Sequence, residues 1–163
     1  MIYGTMCYLH VNEKTLFLYR NRGETDIHQG FYVPPGGRLE QGEKSVNCII
    51  REFSEETGLT LINPRLRIIA TFDNRNRILN GQLNPEDWRV DVYKSDAFSG
   101  EIKPENSKDK LVWVSDAELH NLRMYEGDKR LFRLLRKEGV FEVRLTYSGE
   151  KLKTFDVKKL IKK

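Results

Sequence analysis

Between Gly37 and Leu59 a glycine-opened loop runs into a helix-patterned segment that sets Glu52, Glu55 and Glu56 on one flank of a single helix. Side chains three and four apart are neighbours on a helix surface, and each like-charged i,i+4 pair costs about 0.2–0.5 kcal/mol when nothing compensates it. A hard cation removes that cost. The three carboxylates, with backbone carbonyls at Gly36 or Gly37, offer oxygen alone, a donor set that selects Mg²⁺, or Mn²⁺ in its place, over zinc. Val46, Ile49, Ile50 and Phe53 recur at helical spacing and form the stripe expected to be buried. Gly58, directly after Thr57, suits the left-handed residue that ends a helix.

The spacing reads glycine, five residues, glutamate, seven residues, then Arg-Glu-apolar-any-Glu-Glu-any-Gly-apolar. It is filled by Gly37, Glu43, Arg51, Glu52, Phe53, Glu55, Glu56, Gly58 and Leu59. Through these nine positions the chain resembles the Nudix hydrolases, with Phe53 standing where the family usually has an aliphatic residue. The resemblance implies an α/β fold, an α/β/α sandwich around a central mixed sheet. It also implies a Mg²⁺-dependent in-line attack of water at phosphorus, with Glu55 or its neighbours Glu52 and Glu56 as general base. The metal ligands it implies are Glu52, Glu55, Glu56 and a carbonyl at Gly36 or Gly37. Arg51 is implied to orient the box glutamates, with Glu43 as one partner. Taken alone, Arg51 and Glu43 equally fit a surface ion pair worth at most ~1 kcal/mol.

Outside the box, Thr5 to Val11 and Leu16 to Tyr19 read as a hairpin around Asn12-Glu13-Lys14. Asn21 to Gln29 is a polar loop, and Pro34-Pro35-Gly36-Gly37 is a stiff approach to the box that excludes helix. Arg65 to Phe72 and Trp88 to Tyr93 read as strands separated by a long polar loop, Asp73 to Asp87. Leu111 to Val114 is a further strand, Ser115-Asp116-Ala117-Glu118 a capping box opening a helix, and Asp128 to Lys137 a second helix ended by Gly139. Phe141 to Tyr147 and Lys151 to Val157 form a closing hairpin around Ser148-Gly149-Glu150.

This order resembles the MutT-type branch that hydrolyses nucleoside triphosphates, oxidised purine forms included, to the monophosphate and pyrophosphate. In that branch an aromatic residue followed by acids stacks on the base and reads its edge, roles that Tyr125 and Asp128 fit by resemblance. A stacked base is worth roughly 1–3 kcal/mol. On its own sequence context Tyr125 also fits a half-buried surface aromatic and Asp128 a helix N-cap. Tyr32 and Phe31 are candidates to wall the base pocket. Position 33 is valine where the oxidised-purine enzymes carry a base-reading amide, and Gly127 stands in place of an acid. A carboxylate linked to the metal before the Trp113 strand is replaced by Lys108, leaving Glu105 or Asp109 to substitute.

At 163 residues the chain suits one domain with a full core. The expectation is a single unit over 1–157 followed by a basic tail, 158–163. No apolar run is long enough to span a bilayer and no secretory leader is visible, so the expected location is cytoplasmic, with no membrane partner. Cys7 and Cys48 are expected as packed thiols, and His10, His28 and His120 share no metal-ligand spacing. Net charge is +4, but Lys129 to Lys163 holds 12 Lys/Arg against 4 Asp/Glu. The expected partner is a small nucleotide, 8-oxo-dGTP first, with no specific nucleic acid contact; RNA is the polymer a basic C-terminus would suit. The rival readings are a hydrolase of another nucleoside diphosphate derivative, ADP-ribose or an RNA 5′ end, and a non-catalytic nucleotide- or RNA-binding module.

Overall fold

The computed structural model of the chain describes residues 1–104 and 109–160. β1 (Ile2–Val11) and β2 (Lys14–Arg20) close around Asn12 and Glu13, both at positive φ, the two-residue turn whose twist matches a hairpin. β3 (Tyr32–Val33) and β4 (Gly36–Arg38) flank the two prolines, and α1 (Ser45–Thr57) carries the acidic box. Then come β5 (Leu59–Ile62), β6 (Arg65–Leu79), β7 (Gln82–Leu83), β8 (Trp88–Ser95) and β9 (Ala97–Gly100). β10 (Asp109–Ser115) leads through a 3₁₀ turn, Asp116–Asn121, to α2 (Glu126–Leu134), and β11 (Val140–Gly149) pairs with β12 (Lys151–Leu160).

The main sheet runs β10-β2-β1-β8-β6-β11-β12. It is mixed, with β1 parallel to β8 and β6 parallel to β11 among antiparallel neighbours. Alternation along β1 divides the interior into two cores. Cys7 and Leu9 face α1 with Leu16, Ile49 and Phe53; Tyr8 faces α2 with Phe17, Leu131 and Leu145. The result is the expected sandwich of helices around a mixed sheet. The two cysteines are buried and unlinked. Gly58 caps α1 at φ 84°, donating its N–H to the Ser54 carbonyl.

Several expectations change. Val46 is 37% exposed, and Cys48 and Thr57 take its place in the buried stripe with Ile49 and Phe53. The segment after Phe72 is no loop: β6 continues to Leu79 and turns at Asn80-Gly81 into β7. Its polar residues misled because a two-stranded ribbon leaving the sheet has one solvated face. The small β5–β9 pair was not legible as strands. The segment after Ser115 is a 3₁₀ turn, and Ser115 makes no side-chain cap. α2 starts at Glu126 with Tyr125 at its N-cap, so Asp128 is not the cap. β12 reaches Leu160, which makes Lys158 and Lys159 strand residues opposite Glu142 and Phe141 rather than tail. Among the described residues no helix is long and apolar enough to cross a membrane.

The buried stripe of α1 sets a direct test of packing. Phe53→Ala is expected to lower stability by about 3–5 kcal/mol in urea unfolding, and Val46→Ala by under ~1 kcal/mol. Comparable losses for both would contradict the assigned helix face.

Candidate active site

β4 lies antiparallel along β1 with Thr5 opposite Gly37 and Met6 opposite Gly36. No side chain fits there. A Cβ on Gly36 would lie 2.0 Å from the Thr5 carbonyl oxygen, and one on Gly37 would lie 2.3 Å from Cδ of Glu52. The glycines therefore let α1 press its carboxylates against the strand. Glu56 accepts the Gly36 N–H at 2.8 Å, and Glu52 packs on Gly37.

Ladder bonds alternate along an antiparallel pair. Cys7 donates to the Pro35 carbonyl and Leu39 to that of Tyr3, which puts Gly37 among the residues bonded to β1. Its carbonyl also accepts from the Thr5 hydroxyl at 3.4 Å. Gly37 is thus engaged inward, while Gly36 faces the Glu56 side. Of the two carbonyls named as candidate ligands, Gly36 alone points toward the carboxylates.

Arg51 binds the rest of the box. Its guanidinium donates to Glu43 at 2.8 and 2.9 Å, to Glu52 at 2.9 Å and to Glu55 at 3.3 Å. That fork holds the Glu43 carboxyl down to about 2, chiefly through the Arg51 hydrogen bond. Glu55 is the most open of the three helix carboxylates, its side chain 58% exposed. Burial, then the neighbouring Glu52 and Asp109 charges, lifts Glu56 to about 7 against the pull of the Gly36 N–H and Arg20.

Among the described residues no three His, Cys, Asp or Glu side chains already converge as a cation cage. Glu52 and Glu56 meet at the glycine strand, and Glu55 is drawn aside by Arg51. Two carboxylates beside an outward carbonyl, in a cradle that any Cβ would fill, nonetheless fit a hard oxygen-seeking cation. Asp109 acts on Glu56 through space, but its own oxygens are held by Arg22. The alternative, Glu105, lies outside the described residues, as does Lys108.

A second cluster lies on the α2 side of the sheet. Phe31 stacks on Tyr125 with centroids 4.1 Å apart and planes 12° off parallel, and Arg123 covers the Phe31 ring at 4.2 Å. The Tyr125 hydroxyl meets Nδ1 of His28 at 2.5 Å. Burial first, then Arg20, depresses His28 to about 4, so this ring is neutral at pH 7. Phe31, Tyr125, Tyr147, Arg123 and Asn80 line a cavity of about 290 Å³. Asp128, in the first turn of α2, is 9% exposed, and its carboxyl is raised to about 6 by burial against the opposing Arg77 charge. Tyr32 instead packs on Tyr19 at 4.8 Å and into the α2-side core. His28, Tyr147, Arg20 and Arg77 were not singled out from sequence. Isolated residues in a polar loop or a strand carry no motif, and Arg77 fell in the segment read as loop.

The chain belongs to the Nudix family: a NUDIX domain model matches residues 3–135. It is 32% identical over 147 residues to the uncharacterized Nudix hydrolase YvcI of Bacillus subtilis, covering 90% of this chain and 87% of that protein. An 8-oxo-(d)GTP phosphatase of Mycolicibacterium smegmatis is 32% identical over 107 residues, 65% of this chain and 30% of that one. The crystal structure of the mutator MutT protein from Bacillus halodurans superposes with a TM-score of 0.81 at 26% identity, over 96% of this chain and 97% of that one. Nudix hydrolases generally use divalent metal ions.

The Glu56 environment predicts a pH-dependent stability in EDTA. A carboxyl raised from 4.5 to about 7 on folding loses stability as pH climbs through that window. Glu56→Gln is therefore expected to exceed the wild type by on the order of 2–3 kcal/mol at pH 8 and to match it at pH 4. A wild type at least as stable as the variant at pH 8 would contradict the assigned burial of charge.

Proposed function

We propose that the protein is a Mg²⁺-dependent pyrophosphohydrolase of purine (deoxy)nucleoside triphosphates, 8-oxo-dGTP foremost, releasing the monophosphate and pyrophosphate. The observation that carries this reading is the single short segment 31–36. Phe31, at one end, forms the aromatic wall with Tyr125; Gly36, at the other, meets Glu56. Five residues span at most about 18 Å, and Pro34-Pro35 stiffens the connection. Base and phosphate ends are thereby fixed by one element.

Glu52, Glu56 and the Gly36 carbonyl would hold the ion, with Glu55 or Asp109 available to complete the set. Bound there, Mg²⁺ supplies neutralisation of phosphate charge and a more acidic coordinated water. Glu55, exposed and only loosely held by Arg51, is the carboxylate placed to take the proton of an attacking water. Arg51 keeps Glu43, Glu52 and Glu55 in register. Tyr125 and Asp128 are assigned to the base, Tyr125 by its ring face and Asp128 by accepting from a base N–H. Tyr32 is kept as a pocket support behind Phe31 rather than a stacking face. Acting in the cytoplasm, such an enzyme would remove oxidised purine nucleotides before their use in DNA synthesis, a sanitising role in DNA repair.

The test is pyrophosphate release with Mg²⁺ from 8-oxo-dGTP, dGTP, dATP and ADP-ribose. Turnover led by 8-oxo-dGTP is expected, with Glu55→Gln and Glu56→Gln each reducing kcat by about 10²–10⁴-fold. Turnover of ADP-ribose alone would overturn the substrate assignment.

A further inference from the structure

β6 changes phase as it leaves the sheet. Ile68, Ala70, Phe72 and Asn74 are buried at alternate positions, and the next buried residues are Arg77 and Leu79. The shift coincides with a bulge. Asp73 pairs with Thr146 and Asn76 with Ser148, three steps on β6 against two on β11. An extra residue of this kind re-aims the following side chains, and here it turns an arginine inward.

Arg77 is 8% exposed, with its guanidinium 3.8 Å from the Tyr147 ring centroid and 5.0 Å from that of Tyr125. Both rings wall the 290 Å³ cavity. Among the described residues the Arg77 side chain makes no hydrogen bond, and its Nε is buried without a partner. Asp128, the carboxylate whose charge it feels, also accepts no hydrogen bond among these residues. A guanidinium with donors unused in a buried site is costly. Contact with aromatic faces recovers part of that cost but satisfies none of the N–H groups.

The missing partner has a definite chemistry. It must offer an acceptor to Arg77 and a donor to Asp128 on one planar edge, between aromatic walls. A keto purine has this edge, with O6 beside the ring N1–H; adenine presents an amino donor and a ring acceptor there, the reverse order. We propose that Arg77 is a specificity-determining residue of the nucleotide site, donating to the carbonyl edge of a keto purine while Asp128 accepts from the adjoining N–H. Guanine- and hypoxanthine-type nucleotides are thereby selected over adenine. This rests on the nucleotide site proposed above, and it assigns to β6 a role outside the acidic box.

The experiment compares wild type, Arg77→Met and Arg77→Lys on dGTP, dITP and dATP with Mg²⁺. Arg77→Met, which keeps an unbranched apolar stem, is expected to lose at least about tenfold in kcat/KM on dGTP and dITP, mainly through KM. On dATP it should change by less than about threefold. Arg77→Lys keeps the charge but not the planar fork, so it is expected to lose the same preference, and it decides alone if Arg77→Met does not fold. Equal losses on all three nucleotides, or an unchanged preference, would reduce Arg77 to a structural strut and overturn the proposal. Calorimetric binding of dGMP and dAMP to the full chain separates this from the catalytic reading, because it needs no turnover. Wild type that hydrolyses no triphosphate yet binds dGMP at least tenfold over dAMP, with that preference lost in the variants, overturns only the catalytic reading. Equal binding of the two, or binding of neither, overturns the role of Arg77.

Discussion

The Arg51 guanidinium is the interaction on which the acidic site depends. Glu43 comes from the loop before α1, and Glu52 and Glu55 from the helix; one planar fork touches all three. Without it the box would be a row of like charges on one helix flank. With it, Glu43 is fixed as a permanent anion that orients the arginine, and Glu52 is pinned toward the glycine strand. The fork leaves Glu56 to the N–H of Gly36. A charge-assisted bidentate contact is both stronger and more directional than a neutral hydrogen bond, which is why an arginine rather than a lysine suits this position.

The sheet places the two halves of the site. β1 is the shared floor: its Thr5 and Met6 edge receives β4, and its Tyr8 hydroxyl donates to the Asp128 carbonyl on the far side. Residues of opposite parity on one strand thus serve the box helix and α2. The segment 31–38 crosses between them, and the glycine pair at its end permits the close approach. α2 enters the site by its first turn, where Gly127 has no room for a side chain beneath the Tyr147 hydroxyl, which accepts its N–H at 2.7 Å.

The fold was largely legible where periodicity and punctuation agree. The opening and closing hairpins, the box helix and its Gly58 stop all follow from local residues. So did the partnership of Arg51 with Glu43, through the box spacing. What escaped depends on nonlocal facts. The polar run 73–79 is a strand because β11 and β7 pair with it, and a bulge set by that pairing decides which side Arg77 faces. Val46 fits the apolar stripe by spacing, but the sheet beneath α1 does not reach it. Asp128 matched the sequence expected of a cap, whereas the chain enters α2 two residues earlier and carries it into the interior. The two short strands β5 and β9 are too brief to show a period of two.

The central claim is that Glu52 and Glu56, brought to Gly36 by the absence of side chains on β4, form the seat of a divalent cation. Titration of the protein with Mn²⁺, followed by electron paramagnetic resonance of the free ion, tests it without reference to any substrate. The account predicts at least one bound Mn²⁺ per chain, weakened at least tenfold in Glu52→Gln and in Glu56→Gln, with Glu118→Gln, on the distant 3₁₀ turn, unaffected. Binding that survives both box substitutions unchanged would place the cation elsewhere and contradict the account.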